Sequence, residues 1–318
     1  MQRGGPYPAG PWRYLWWLIR GQGWRVLLGA LLGSTWMVGL AVPPLLLSLA
    51  VDDGLRRNHA LVAAQRTVDF LAIGPDQHPG DQRADVAATV SDPASGLQVN
   101  HGEFAVVAAS DRREAKAILE RLAGLEPSDA RLGDTLLSDI DSETLRASVL
   151  PLEDNDFLFA GRLHEVIFTD GNDTASARER IAVASGIDEI VRGLDEGWDT
   201  VVRLRGANFS GGQRQRLRLA RAMAANPPVL LGLDPLSAVD AITETHVVHR
   251  VRDSRRGMTT VFFSDSATVL DAADVVHFVE DGRVVASGRD RSLTASHPAY
   301  RVLVARDTLR EPRRRADG

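Results

Sequence analysis

The 318-residue sequence contains no cysteine, which excludes disulfide bonds, thiolate metal sites and a cysteine nucleophile. A basic bias is also missing, because the net charge is −5 and the isoelectric point is about 5.9. This balance argues against a nucleic-acid partner. The eight histidines are scattered without metal-ligand spacing, so we predict no metal site on this chain. No segment repeats at a period of about 20–50 residues, which argues against a solenoid.

Charged residues are absent from Val26 to Val51, a run long enough to cross a bilayer core of roughly 30 Å. Four of the six tryptophans lie within the first 24 residues, next to Arg13, Arg20 and Arg25. Tryptophan and arginine in this position are typical of an interfacial anchor whose amino-terminal side lies in the cytoplasm. We therefore predict an elbow helix and one transmembrane span in residues 1–58. A buried core helix is the alternative, and both the length and the flanking residues favour the span.

The remainder of the chain has the composition of a soluble α/β domain with flanking segments. A short helix and a polar linker are predicted for residues 59–84, and a disordered basic tail for residues 306–318. The domain between them, residues 85–305, contains buried strands, an amphipathic helix and a closing hairpin. The predicted bounds are Phe104–Ala109 and Thr259–Ser264 for two strands, Arg112–Leu122 for the helix, and Ala273–Glu280 with Arg283–Ala286 for the hairpin.

The most specific pattern runs from Asn208 to Asp240. It begins with a polar, glycine-centred turn at Ser210–Gln213, and a basic helix follows until two consecutive prolines end it. A short apolar strand then leads to Asp234. A helix start combined with a buried strand that ends in a carboxylate is typical of proteins that handle phosphate groups.

In this order and spacing, the motifs resemble those of ATP-binding-cassette (ABC) ATPases. The run that matches the nucleotide-binding signature of the family consists of Phe209, Ser210, Gly211, Gly212 and Gln213. Ser237–Asp240 matches the D-loop, Thr259–Ser264 the strand before the switch histidine, and Glu280–Gly288 the closing hairpin. The resemblance extends over residues 85–305, and Pro8–Leu55 resembles the elbow helix and first span of exporter-type transmembrane domains.

The resemblance implies an α/β, P-loop NTPase-like ABC ATPase domain with an antiparallel β subdomain and a helical subdomain. It further implies ATP and Mg²⁺ as cofactors. With the predicted span, it implies an ATP-binding/permease-type exporter subunit in the cell membrane, with its nucleotide-binding domain in the cytoplasm. A soluble cassette ATPase of DNA maintenance or translation is an alternative, and the apolar run and acidic composition argue against it.

The phosphate-binding loop departs from the family pattern. Such a loop needs glycines whose backbone N–H groups wrap the phosphates, a lysine, and a Ser or Thr for Mg²⁺. Its expected position, Ala109–Ala117, reads ASDRREAKA. A shift of one residue makes Lys116 the loop lysine and puts Ser110 in a glycine place. Even then, Ala117 cannot bind the metal and Glu114 adds a repelling charge, so we predict that the loop binds ATP poorly.

Other catalytic positions of the family are also altered. The Q-loop glutamine corresponds to Asp154, and the Walker B aspartate corresponds to Leu233. Asp234 stands in place of the glutamate that polarises the attacking water, and Asp265 in place of the switch histidine. Residues 86–96 contain no aromatic side chain where the family stacks adenine. Asp234 and Asp265 are therefore weak catalytic candidates.

The altered residues all belong to the phosphate-loop side of the family's nucleotide site. In the family, two nucleotide-binding domains dimerise head to tail, and each ATP lies between the loop of one and the signature of the other. Here the signature and Asp240 are kept, which implies the non-catalytic half of a heterodimer. The partner would be a second half-transporter with an intact site that holds most of the ATP and Mg²⁺. Two alternatives stay open: a membrane-anchored pseudo-ATPase that binds or regulates, and a signature retained only because the fold needs it.

A single span creates a topological problem. With the amino end inside, one crossing would put Asp52 outside, and residues 53–104 contain no second apolar run of sufficient length. We therefore interpret the chain as a shortened transporter product that lacks the later spans. The transported substrate stays unidentified, because the spans that would line its pocket are the ones missing.

Overall fold

The computed structural model describes residues 88–153 and 157–305, together with eight helical positions between residues 12 and 34. The chain divides into two compact units, residues 1–76 and 77–318. The linker, the basic tail, Asp154 and most of the predicted elbow helix and span lie outside the described residues. Among the helices that are described, none is both long and apolar enough to cross a membrane. The predicted domain boundaries stay predictions.

The second unit alternates strands and helices, as expected for an α/β domain. The strands are β1 (Val90–Asp92), β2 (Leu97–Val99), β3 (Phe104–Ala109), β4 (Arg131–Leu132), β5 (Thr135–Leu136), β6 (Val149–Leu152), β7 (Gly161–Arg162), β8 (Val201–Val202), β9 (Val229–Leu233), β10 (Thr259–Phe263), β11 (Val275–Glu280) and β12 (Arg283–Gly288). The helices are α1 (Arg112–Leu122), α2 (Ser142–Ser148), α3 (Leu163–Ile167), α4 (Ala175–Ser185), α5 (Asp188–Arg192), α6 (Gly211–Ala224), α7 (Ala241–Ser254), α8 (Ala267–Ala272) and α9 (Asp290–Ser296). Short 3₁₀ turns cover Leu137–Asp139, Gly197–Asp199 and Leu204–Gly206, and residues 298–305 are also helical.

A six-stranded sheet with the order β12-β11-β3-β10-β9-β6 forms the centre of this unit. The five strands from β11 to β6 are parallel, and β12 pairs antiparallel with β11 at the edge. Phe263 of β10 lies opposite both Val107 of β3 and Leu233 of β9. The segments that follow these three strands therefore meet at one edge of the sheet, where parallel α/β proteins place their ligands.

The side chains of each central strand alternate between two apolar cores. In β3, Val106 and Ala108 face a core that α4, α6 and α7 complete, whereas Ala105 and Val107 face a core that α1 completes. This alternation follows from the two-residue period of a strand and explains why the strand is apolar throughout. Both faces of the sheet are therefore covered.

Helix α1 shows how the sequence specifies a helix that packs on the sheet. Its buried residues follow the three- and four-residue spacing of one helical face: Ala115, Ile118, Leu119 and Leu122. Burial of each larger side chain contributes about 1.5–3 kcal/mol. The predicted helix Arg112–Leu122 is confirmed with the same bounds.

The strand and hairpin predictions are confirmed with small shifts at their ends. Phe104–Ala109 is a strand as predicted, and the predicted strand Thr259–Ser264 ends one residue earlier, at Phe263. The closing hairpin turns at Asp281 and Gly282, both of which have positive φ, 50° and 72°. An Asp-Gly pair adopts these angles more readily than most residues, which is why this dipeptide predicts a hairpin.

The subdomains that the family resemblance implies are both present. A separate four-stranded antiparallel sheet has the order β2-β1-β4-β5. The segment between β6 and α6 contains the helices α3, α4 and α5, together with the two-stranded pair of β7 and β8. Strand β1 was not predicted; its Asp92 is fully buried and accepts hydrogen bonds from Arg121 of α1 at 2.7 and 3.0 Å.

Candidate functional site

The candidate site lies at the carboxyl edge of the central sheet. Three connections meet there: the one from β3 to α1, the one after β9 that starts with Asp234, and the one after β10 that contains Asp265. The signature turn at the start of α6 forms a separate part of the candidate site, next to the D-loop.

The connection between β3 and α1 is too short to wrap a phosphate chain. β3 ends at Ala109 and α1 begins at Arg112, so only Ser110 and Asp111 lie between them. In a phosphate-binding loop, a longer glycine-rich segment presents its N–H groups to the ligand. The expected loop, residues 109–117, is instead mostly helix.

Asp111 accepts hydrogen bonds from backbone N–H groups in the first turn of α1. Its Oδ1 accepts from the backbone N–H of Arg113 at 2.8 Å, and its carbonyl accepts from that of Glu114 at 3.0 Å. The Arg113 side chain also donates to Asp111, and this hydrogen bond is the main reason that the pKa of Asp111 lies below its usual value. The helix start that would receive an anion is thus capped by a carboxylate of the chain itself.

Asp234 forms an ion pair with the same helix. Nε of Arg112 lies 2.9 Å from Oδ2 of Asp234. The backbone of Asp234 has φ of 45°, a left-handed conformation that aspartate tolerates better than most residues. Its N–H donates to the carbonyl of Phe263 at 2.9 Å, so β10 holds the backbone of Asp234.

Lys116 is directed to carboxylates rather than to an open loop. Its Nζ lies 2.7 Å from Oε2 of Glu153 and 2.9 Å from Oε1 of Glu120. The hydrogen bond to Glu153, followed by the one to Glu120, raises the pKa of Lys116. Ala115, the ungapped position of the loop lysine, is buried against the core. Neither the ungapped alignment, which puts Ala115 at the lysine position, nor the shifted one, which uses Lys116, brings a free ammonium to the helix start.

The loop side of this chain does not fit the phosphates of ATP with Mg²⁺. Asp111 accepts from the N–H groups of Arg113 and Glu114 at the start of α1. The nearby cations Arg112, Arg113 and Lys116 are each paired with a carboxylate. Ala117 has no hydroxyl for the metal. In the described part of the chain, no group of three His, Asp or Glu residues could hold a metal ion.

The signature turn, in contrast, has a regular helix-start geometry. Ser210 is the N-cap of α6 and forms a capping box with Gln213. The Gln213 N–H donates to the Ser210 hydroxyl at 3.3 Å, and the Ser210 N–H donates to Gln213 Oε1 at 2.8 Å. No hydrogen bond joins the N–H groups of Gly211 or Gly212 to an acceptor among the described residues. Two donors and the exposed Ser210 hydroxyl thus lie together at a positive helix end.

The D-loop is held directly against this turn. A Cβ added to Gly212 would lie 2.7 Å from the carbonyl oxygen of Ala238, so only glycine permits this approach. Nε2 of Gln215 donates to the Ser237 hydroxyl at 2.9 Å, and Oε1 of Gln215 accepts from the Ala238 N–H at 2.7 Å. The buried Gln215 side chain therefore fixes the D-loop to α6.

The other predicted signature and D-loop residues have structural contacts of their own. Phe209 is 5% exposed and packs in the core, so its side chain supports the turn from beneath. Asp240 caps α7 by accepting from the Thr243 N–H at 3.0 Å, a bond that is the main reason for its lowered pKa. Asp265, the predicted switch position, is half-buried just after β10.

The arginines of the basic helix α6 bind backbone carbonyls. Arg214 donates to Phe209 at 2.6 Å, Arg216 to Gly186 at 2.7 Å and Arg221 to Phe157 at 2.7 Å. These contacts give the three arginines a structural role that links α6 to neighbouring segments.

Sequence reasoning missed several residues of the site. Arg112 and Glu153, the partners of Asp234 and Lys116, lie far from them in sequence and had no detectable signal. Gln215 is likewise visible only through its tertiary contacts. Asp111, however, directly precedes an amphipathic helix with an acid in its first turn, which is a recognisable N-cap pattern.

The comparisons with known proteins agree on the type of domain. Residues 115–237 match the family model described as "ABC transporter". A multidrug efflux ATP-binding/permease protein of Mycobacterium bovis is 30% identical over 213 residues, which are 66% of this chain and 18% of the relative. A probable multidrug resistance ABC transporter ATP-binding/permease protein of Bacillus subtilis is 30% identical over 174 residues, 54% of this chain and 30% of the relative. The chain thus spans less than a third of the length of either relative.

A solved structure shows the same fold. The chain of a bacterial Atm1-family ABC exporter with ATP bound superimposes with a TM-score of 0.60 and 24% identity, over 66% of this chain and 38% of that one. A domain of this type implies ATP binding, usually with Mg²⁺. The central sheet, the signature turn and these matches together identify the unit as an ABC transporter ATP-binding domain with homology to multidrug ATP-binding/permease exporters.

Proposed function

We propose that this chain is the non-catalytic ATP-binding subunit of an ABC exporter, and that it donates its signature turn to an ATP held by a partner subunit. The observation that carries this proposal is the contrast between the two helix starts. At α6, Gly211 and Gly212 keep N–H donors without a protein acceptor among the described residues. At α1, the donor equivalent to the Gly212 N–H is that of Arg113, and the carboxylate of Asp111 accepts its hydrogen bond.

The chemistry of the turn suits a terminal phosphate. The N–H groups of Gly211 and Gly212 and the hydroxyl of Ser210 are three donors at the positive end of a 14-residue helix. The capping box keeps the Ser210 N–H on Gln213, so we assign phosphate binding to the glycines and the hydroxyl rather than to that N–H. The partner subunit supplies the loop lysine, Mg²⁺ and the acid that positions the water.

The membrane part of the proposal relies on the relatives and on the apolar run. The relatives are named as multidrug efflux and multidrug resistance ATP-binding/permease proteins. Residues 26–51 contain no charge and offer a membrane anchor. On this proposal the chain resides in the cell membrane with its ATP-binding domain in the cytoplasm, and a second half-transporter is its partner.

The test uses the chain purified from membranes together with a cassette protein that has an intact GxxxxGKS/T loop. Ser210→Asp is the decisive variant, because aspartate keeps the N-cap but places a negative charge against the phosphate. We expect the ATPase rate of the complex to fall at least about tenfold, the scale of one lost transition-state contact. Ser138→Ala, at an exposed serine outside the site, serves as the control.

An unchanged rate in Ser210→Asp, with the complex still assembled, would rule out the signature-donor role. A membrane-anchored pseudo-ATPase that regulates or binds without transport is the second candidate, and the capped start of α1 favours it over an active enzyme. It predicts that the complex forms, and that the rate responds to the presence of this chain but not to the charge at Ser210.

A further inference from the structure

A polar cavity lies at the amino-terminal edge of the central sheet, opposite the candidate nucleotide site. Its volume is about 260 Å³. It lies where β3 and β10 begin, and Asp274, just before β11, also lines it. The predicted functions of the chain do not involve this edge.

Arg255 forms the inner wall of the cavity and is only 3% exposed. Its Nε donates to the Thr260 hydroxyl at 2.8 Å. Its Nη2 donates to the carbonyls of Pro227 and Thr259 at 2.9 and 3.1 Å. The guanidinium is therefore fixed in one orientation by neutral oxygens.

A buried guanidinium normally has a carboxylate partner, because desolvation of an isolated charge is costly. Arg255 forms no ion pair with any carboxylate in the described part of the chain. Burial alone lowers its pKa to about 10, which leaves the group charged at neutral pH. The carbonyls of Pro227 and Thr259 offset this charge only in part.

The other charged groups that line the cavity do not neutralise the charge of Arg255. Arg252 is paired with Asp274, which also accepts from the Phe104 N–H at 3.0 Å. Arg256 is 79% exposed at its side chain, and its partner Asp253 is 63% exposed. Three arginines and one aspartate thus line the cavity, which gives it an excess of positive charge.

We propose that this cavity is a binding site for a small oxyanion of the phosphate type, with Arg255 as its fixed donor and Arg256 as a mobile one. Nε and Nη2 of Arg255 donate to protein oxygens, so its Nη1 group is the donor for the anion. The planar guanidinium of Arg256 can bind two oxygens of such an anion at once. The proposal is independent of the signature-donor role, since the cavity and the signature turn lie in different parts of the domain.

Calorimetric titration of the full chain with inorganic phosphate, at an ionic strength kept constant with chloride, tests the proposal. We expect saturable binding to one site. At about ten times the dissociation constant, phosphate should favour the folded state about tenfold, which appears as a higher melting temperature. Arg255→Met replaces the guanidinium with an apolar side chain of similar length. This variant should bind phosphate at least about tenfold more weakly, as expected for a lost charged hydrogen bond.

Two further variants keep the test decisive. Arg256→Gln changes an exposed side chain, so the domain should remain folded and phosphate should bind several-fold more weakly. Arg146→Gln, at an exposed position of α2 outside the cavity, should bind as the unmodified chain does. Absence of saturable binding by the unmodified chain would overturn the proposal. Undiminished binding in Arg256→Gln and in a folded Arg255→Met would overturn it as well, because phosphate would then bind elsewhere.

Discussion

Arg112 and Asp234 form an ion pair, with Nε and Oδ2 separated by 2.9 Å, at the carboxyl edge of the central sheet. The sequence comparison predicts that Asp234 corresponds to the family's water-polarising glutamate. The Arg112 guanidinium of α1 lies against this carboxylate and offsets its charge.

This pair leads to the first prediction. Asp234→Glu restores the family's residue type, but we expect no ATPase activity of the isolated chain, because Asp111 still caps α1. Asp234→Asn should cost at most about 1 kcal/mol of unfolding free energy, since the two side chains are 51% and 21% exposed and the pair is screened. Phosphate release and urea unfolding measure the two effects. ATPase activity in Asp234→Glu would contradict the closed-loop interpretation.

The second prediction concerns the contact between the signature turn and the D-loop. Gly212→Ala places a Cβ 2.7 Å from the Ala238 carbonyl, so the backbone must shift, at a cost of about 1–3 kcal/mol in unfolding free energy. Gly211→Ala is the matched control, because its Cβ would meet the Ala238 Cβ at an ordinary 3.7 Å. Equal unfolding midpoints for the two variants in urea would refute the close-contact argument.

The third prediction tests Gln215 as the link to the D-loop. Gln215→Leu keeps the bulk but leaves the Ala238 N–H without its acceptor, which should cost about 1–3 kcal/mol. Hydrogen exchange at the Ala238 amide should become faster than in the unmodified chain. Gln98→Leu, at an exposed position on β2, is the control and should leave that amide unchanged. Unaltered exchange in Gln215→Leu would show that the D-loop is held by other contacts.

The fourth prediction is loss of stability in acid through Asp92. Burial acts to raise the pKa of this carboxyl, but the hydrogen bonds from Arg121 and Ser95 outweigh it, and the pKa lies below 3.8. Because the folded-state pKa is depressed, the stabilisation is fully present above about pH 4 and is lost as the pH falls further.

Asp92→Asn tests this assignment. It should remove part of the acid dependence and lower the free energy of unfolding at pH 7 by about 3 kcal/mol, since it leaves Arg121 without its charge partner. Unfolding by urea at pH 7 and pH 3 gives both values. An identical pH dependence in the variant would show that other carboxyls control acid unfolding.

The fifth prediction concerns His277 on β11, which is 6% exposed. Its Nδ1 lies 2.8 Å from the Ser287 hydroxyl, and its Nε2 is buried without a partner among the described residues. Burial lowers the pKa of His277 below 6.5. The unfolded chain therefore binds the proton more readily, and stability should decrease as the pH falls below about 6.5.

Replacement of this histidine by an apolar strand residue should reduce that dependence. We expect His277→Val to be less sensitive than the unmodified chain between pH 7 and pH 5, in melting temperatures measured by circular dichroism. His101→Gln, at an exposed turn, should retain the dependence. If His277→Val retains it too, the protonation occurs at another residue.

Much of the fold could be predicted because local signals agree with the tertiary structure. The run Phe104–Ala109 is apolar at every position, since both faces of its sheet are covered. The hairpin at Asp281–Gly282 follows from the backbone angles that this pair tolerates. The signature turn was recognisable because Phe209–Gln213 matches a family motif, followed in the expected order by a basic helix, an apolar strand and the D-loop; the structure confirms the helix start at Gly211.

The closed loop was harder to predict. Counting along the chain from the family motif assumes that the loop exists, and it therefore treated Ser110 and Lys116 as possible ligands. The structure starts the helix at Arg112, because Asp111 is a strong N-cap and the residues after it favour helix over loop. Pairs such as Lys116 and Glu153 depend on helix α1 lying next to the segment after β6, which a single sequence does not reveal.

Helix α6 connects three distant parts of the domain through its arginines and Gln215. Arg216 and Arg221 bind the carbonyls of Gly186 and Phe157, while Gln215 binds the D-loop. The signature turn is the start of this same helix, so hydrogen bonds of a single helix set the position of the turn relative to the D-loop and to the segments that contain Gly186 and Phe157.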